Sequence, residues 1–287
     1  MAVAYASIAT ASSEAAGTLT ITKPTGLAAG DLLVAVLGAG GGHDTFTRTG
    51  WDLKTEAEFT SSPVHIVCVL TRVADAGDAA ATDFEFTGNS SVARLGALIR
   101  VTSSLNGFAG AANLQADTSI ESVNTSHTFE AGVTVQTVGD LLIMGCVAAD
   151  GQVTQGTYAI TDNNPSWTER ADITIDGTSQ DPGLSVATAT ATAAAATGNW
   201  TLAISGSSEA IGYILSIQES VNVTVSPTVV SMTGAVQAPV VNASAVVSPA
   251  VVSMAASVQA PTVTLTAKKF TNTTKSSASS FTNTSKS

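Results

Sequence analysis

At 287 residues the chain is long enough for two ordinary domains and an extension. Hydrophobic residues make up 44% of it and charged residues only 11%, against about 25% charged in a typical soluble domain, which is the makeup of close-packed β structure with few solvated charged faces. The net charge of −11 is uneven: Lys268, Lys269, Lys275 and Lys286 lie in the last twenty residues without an acid, so residues 1–220 carry the other 7 cations against all 22 acids, or −15. An acidic body of this kind excludes nucleic acid as a partner, because phosphate binding needs clustered Lys and Arg.

No stretch of about 18 apolar residues is present, so no membrane-spanning helix is expected. The start, Met1-Ala2-Val3-Ala4-Tyr5, has no basic segment before the first cation at Lys23, so no secretory signal is expected and synthesis in a cytoplasm is. Cys68 and Cys146 stand in β-like runs whose neighbours do not correspond, which favours two buried free thiols over a disulfide.

From the N-terminus, the first strong element is Gly30-Asp31-Leu32-Leu33-Val34-Ala35-Val36, an apolar strand entered through a glycine turn. The Gly40-Gly41-Gly42-His43-Asp44 segment lacks the Gly-Lys-Ser/Thr ending of a phosphate loop and reads as a hairpin loop. Gly50-Trp51, the run Val64 to Val73, the alternating Asp83-Phe84-Glu85-Phe86-Thr87 and the closing Leu95-Gly96-Ala97-Leu98-Ile99-Arg100-Val101 complete a set of short strands separated by turn residues.

The same landmarks then return in order. Gly139-Asp140-Leu141-Leu142-Ile143-Met144 follows Gly30-Asp31 at 139−30 = 109; Trp167 follows Trp51 and Ile211-Gly212-Tyr213-Ile214 follows the closing strand, both at 167−51 = 212−96 = 116. A duplicated domain is predicted, with domain 1 over 1–106, domain 2 over 107–220, and an all-β class of two tandem antiparallel β-sandwich or jelly-roll domains. The period-two run Ala187 to Thr192 predicts a strand entering a loop at Ala193 to Ala196 rather than an alanine helix.

From Val221 to Ala267 no Asp, Glu, Lys or Arg occurs, 267−221+1 = 47 residues. Ser226-Pro227-Thr228-Val229-Val230-Ser231-Met232 returns 22 residues later, and Val225, Val236, Val247 and Val258 recur every 11. Such repeats are too short to enclose a core, so they must bury valines against something else; proline in the repeats interrupts any central strand. Residues 221–287 are therefore read as an extended β arm, and Val225, Val229, Val236, Val240, Val247, Val251, Val258 and Val263 as its assembly contacts.

No chemistry-bearing constellation emerges. His43, His65 and His127 have no metal-ligand spacing, no serine sits in a nucleophile elbow, and no carboxylate pair stands out. Asp150, Asp162, Asp172, Asp176 and Asp181 match no Ca²⁺-loop pattern and read as solvated loop acids. Trp51, Trp167 and Trp200 read as core packing rather than as a sugar platform. Neither catalytic residues, cofactor nor metal is expected.

The Ala29-Gly30-Asp31-Leu32-Leu33-Val34-Ala35 strand, Gly50-Trp51, Gly96-Ala97-Leu98-Ile99 and the Val/Pro/Ala/Thr arm together make the chain resemble structural proteins of tailed bacteriophages, such as tail fibres, spikes and capsid decoration proteins. That resemblance implies a non-enzymatic virion protein whose partners are copies of itself, as a trimer, other virion proteins and host-surface glycan. A bacterial adhesin or carbohydrate-binding module is the alternative reading.

Overall fold

The structure is a computed structural model and describes residues 3–14, 17–41, 45–60, 64–88, 93–103, 108, 114–130, 132–149, 155–160, 165–175 and 182–218. The chain divides into two compact units, Met1–Asn222 and Val223–Ser287; the whole of the second, and with it the predicted arm, lies outside the described residues, as does the 106/107 boundary.

Thirteen strands and one helical turn make up the described part of the first unit. They are β1 (Ala4–Ser13), β2 (Thr18–Thr22), β3 (Leu32–Gly40), β4 (Asp52–Phe59), β5 (His65–Val73), α1 (Ala76–Ala80), β6 (Asp83–Thr87) and β7 (Arg94–Thr102), then β8 (Leu114–Phe129), β9 (Leu141–Ala148), β10 (Gln155–Ile160), β11 (Thr168–Thr174), β12 (Gly183–Thr190) and β13 (Trp200–Ile217). All the pairings are antiparallel, and the chain is all-β.

The first sheet runs β1-β7-β3-β5-β4, and the second runs β13-β9-β12-β11 with β8 and β10 both paired to β13. The two sheets carry matching registers, as two copies of one unit would. Leu32 lies opposite Val101 in the first sheet and Leu141 opposite Ile217 in the second, shifts of 141−32 = 109 and 217−101 = 116, the two intervals of the sequence repeat. The separate pair β2–β6 of the first copy corresponds in the second to the far ends of β8 and β13, where Phe129 lies opposite Trp200.

Side-chain alternation explains why β3 and β9 are apolar throughout. Leu32, Val34 and Val36 join Leu141, Ile143 and Val147 in one central cluster, while Leu33, Ala35 and Leu37 face an outer cluster with Leu19, Ile21, Phe84 and Phe86. Leu142, Met144 and Cys146 likewise face a second outer cluster with Phe129, Trp200 and Leu202. A strand covered on both faces has no solvent side on which to place polar residues.

The central cluster draws on both copies, so the two sheets are packed face to face and share their largest core. Neighbouring strands across that core are β1 with β11, β4 with β8, β7 with β12, and β5 with β13. Exchanging the copies carries each of these four pairs into another of the four, as a two-fold relation would, although β5 also neighbours β9 without an equivalent β3–β12 pair of the same strength. Each copy thus has an outer core cluster of its own, and an inner cluster is common to both. The physical reason is visible in the strands themselves, since a sheet greasy on both faces needs a cover on each.

The Gly-Asp motif turns out to be a turn device. Gly30 and Gly139 take positive φ, 93° and 99°, a region that suits glycine. Gly30 N–H donates to Ala74 and Ala74 N–H to Asp31, as Gly139 does to Ala191 and Ala191 to Asp140. The stretch after β12 bends as expected, with no helix at 192–196. The helical turn α1 was not expected; Asp75 caps it in a capping box with Asp78, and Arg72 clamps both carboxylates at 2.6 Å.

Candidate functional site

Strand β11 is an edge strand, and its ladder with β12 slips by one residue between Glu169 and Ala171. Arg170 is the extra residue of that bulge. A bulge bends the strand and re-aims the side chain it carries, and Arg170 lies against the first copy: its guanidinium carbon stands 4.0 Å from the centroid of the Tyr5 ring on β1. Nε donates to Thr188 Oγ1 at 2.7 Å, fixing the plane of the group. An equivalent slip occurs between Leu53 and Thr55 in β4, leaving Lys54, at 170−54 = 116, as its bulge residue.

A cleft of about 270 Å³ opens where β1 meets β11 and β12, lined among others by Tyr5, Ser166, Thr168, Arg170, Thr188 and Thr190. Among the described residues that line the cleft, Arg170 carries the one charge and none is a carboxylate. Guanidinium offers five N–H donors; Thr188 takes the one on Nε, and no other hydrogen bond of Arg170 is formed among the described residues. The site holds a fixed cation and several hydroxyls, the donors and acceptors with which a polar ligand is bound.

The residues singled out from sequence fall elsewhere. Val225, Val229, Val236, Val240, Val247, Val251, Val258 and Val263 lie outside the described residues, as do His43, Asp44, Asp150, Asp162, Asp176 and Asp181. Asp172 is on β11. Among the described residues no group of three His, Cys, Asp or Glu side chains could hold a metal ion.

His65 is buried and stacks on Phe59, with ring centroids 5.2 Å apart. His127 is buried and stacks on Phe129 at 5.6 Å; burial pulls its imidazole below the ordinary range, against the opposing influence of the Asn124 and Ser208 backbone. Both are packing histidines. Cys68 and Cys146 are buried thiols outside any disulfide, and Cys68 Sγ donates to Glu56 Oε2 at 3.1 Å.

The three tryptophans divide. Trp200 is fully buried with its ring 4.2 Å from that of Phe129, as expected of a core residue. Trp51 and Trp167 are half-buried in matching places on the outer clusters of the two copies, Trp51 edge-on to Phe84 and Phe86.

Sequence reasoning missed Tyr5 and Arg170. The available signal was the cation three positions after the tryptophan in each copy, Trp51 to Lys54 and Trp167 to Arg170. The partner on β1 carries no such mark, because the contact joins the first copy to the second and depends on the two-fold packing.

A scan against protein-family models, a search of curated proteins and a search of solved structures each found no match.

Proposed function

We propose that the chain is a non-enzymatic virion structural protein, part of a tail fibre or similar appendage, that oligomerises or docks through its C-terminal repeats. The observation that carries this reading is the 47-residue charge-free stretch from Val221 to Ala267, with valine at 225, 236, 247 and 258. Removing an exposed apolar side chain from water contributes about 1.5 to 3 kcal/mol, so the valines of each repeat, covered by another protein, offset part of the cost of ordering the arm. Left bare, such a segment is an aggregation hazard.

The doubly covered sheets of the first unit suit a spacer that must hold its shape. A trimer is the assembly this reading expects, with other virion proteins as further partners, and a capsid decoration role is the variant closest to it. The test is native mass in solution. Full-length protein should be oligomeric, and the chain ending at Asn222 should be folded and monomeric; Val247→Asp in the full chain should weaken assembly without altering the near-UV spectrum of the tryptophans. An unchanged native mass in both variants would overturn the proposal.

A second reading, an adhesin or carbohydrate-binding module, is favoured by one observation: the hydroxyl-lined cleft with Arg170 over Tyr5.

A further inference from the structure

The cleft between β1 and β11 holds a cation that the fold does not consume. The other arginines described with carboxylate partners are neutralised within the fold: Arg72 clamps Asp75 and Asp78, and Arg100 Nε donates to Asp31 Oδ2 at 2.7 Å. Arg170 has instead an aromatic face and one hydroxyl. Stacking on Tyr5 and the bond from Nε leave the outer edge of the guanidinium, with both terminal nitrogens, for something else. That edge is the fork that receives a carboxylate through two parallel hydrogen bonds.

We propose that this cleft binds the carboxylate of an acidic sugar, with Arg170 as the carboxylate fork and the hydroxyls of Ser166, Thr168 and Thr190 as partners for the sugar hydroxyls. Size favours a single sugar unit: about 270 Å³ lies just under the roughly 300 Å³ at which pockets for drug-sized ligands begin. Charge selects an acid over a neutral sugar, since among the described lining residues no carboxylate repels it or occupies the arginine. Preorganisation comes from the bulge and Thr188, which hold the guanidinium in place before any ligand arrives. Tyr5 comes from the first copy and Arg170 from the second, so the site exists only because the sheets pack face to face. The inference does not rest on the arm, and its readout is separate from native mass.

The experiment is an amide-shift titration of the isotope-labelled full chain at low salt with D-glucuronate, D-glucose and acetate. Saturable shifts are expected with glucuronate at Tyr5, Thr168 to Ala171 and Thr188 to Thr190. Glucose and acetate should bind at least about ten-fold more weakly, and Arg170→Ala should weaken glucuronate by at least about ten-fold, the scale of a lost charge-assisted pair. Arg170→Lys, which keeps the charge and loses the fork, should fall between, and it serves if the alanine variant does not fold. An absence of saturable shifts, equal binding of glucose and glucuronate, or native-like binding by both Arg170 variants would each overturn the proposal.

Discussion

Gly96 and Gly212 stand at one and the same place in the two copies: Gly96 lies opposite Leu37 on β3, and Gly212 opposite Cys146 on β9. Each leaves the room that the outer layer fills. A Cβ on Gly96 would come within 2.7 Å of Leu37 Cδ2 and 2.9 Å of Leu19 Cδ2 and Ile21 Cδ1; one on Gly212 would meet the rings of Phe129 and Trp200 at 2.6 Å.

The two glycines should therefore differ when replaced. Alanine is favoured over glycine inside a strand by roughly 0.5–1 kcal/mol, while overpacking a core costs typically about 1–3 kcal/mol. Leucine and isoleucine ends can swing aside, and aromatic rings stacked in a filled core cannot. Gly96→Ala should lower stability by about 1 kcal/mol or less, and Gly212→Ala by about 2–3 kcal/mol. Urea denaturation with unchanged slope reads the difference.

The paired aspartates of the Gly-Asp turns diverge for an electrostatic reason. Asp31 Oδ2 accepts from both Ala28 N–H and Arg100 Nε, whereas Asp140 Oδ2 accepts from the Gln136 and Thr137 amides and position 100+116 = 216 is a serine. Burial pushes the Asp140 carboxyl above the ordinary range, with the two amides pulling back. A carboxyl raised on folding binds more protons in the native state, so its contribution to stability is most favourable below the ordinary aspartate range. That contribution declines as pH rises through the range up to the folded value. Asp140→Asn keeps an acceptor for both amides and should remove this decline at a cost under about 1 kcal/mol, while Asp31→Asn, which leaves Arg100 without its charge partner, should cost about 1.5–3 kcal/mol. Stability measured from pH 3 to 8 for both variants checks the sign.

The repeat was legible in the sequence because the segments that carry it, Gly30 to Val36, Leu95 to Val101 and their echoes, belong to strands buried on both faces and so keep their apolar pattern. The intervals of 109 and 116 reappear as strand registers. How the copies meet was not legible. A run such as Leu32-Leu33-Val34-Ala35-Val36 announces that both faces are covered without saying by what, and a duplicate sheet is as good a cover as a loop. The Tyr5 and Arg170 contact was hidden for the same reason, since neither residue is unusual until the sheets are stacked.

Cysteine chemistry follows from burial. Both thiols are buried, and desolvation pushes the Cys146 thiol well above its ordinary range, against the pull of Ser185. The reactive species is the thiolate, so native protein should resist an aromatic disulfide reagent at pH 8 and yield two equivalents once unfolded in guanidinium. Reducing agent should leave the melting temperature unchanged. Rapid modification of Cys146 in the native state would show that the outer layer of the second copy opens.

The shared inner core makes a stronger demand, that the copies unfold together. Val34, Val36, Val67 and Val69 of the first copy pack in one cluster with Ile143, Val147, Leu184 and Tyr213 of the second. Separating the sheets exposes both inner faces at once, so neither copy can persist with the other unfolded. Trp51 reports on the first copy, and Trp167 and Trp200 on the second. Fluorescence of Trp51→Phe, and of the double variant Trp167→Phe with Trp200→Phe, should give urea curves that each match the far-UV curve of the same variant in midpoint and slope. A first-copy core change such as Val34→Ala should shift the second-copy signal by as much as its own. Two separated transitions would mean that each sheet keeps its structure with a bare inner face, contrary to what roughly 25 cal/mol per Å² of apolar surface requires.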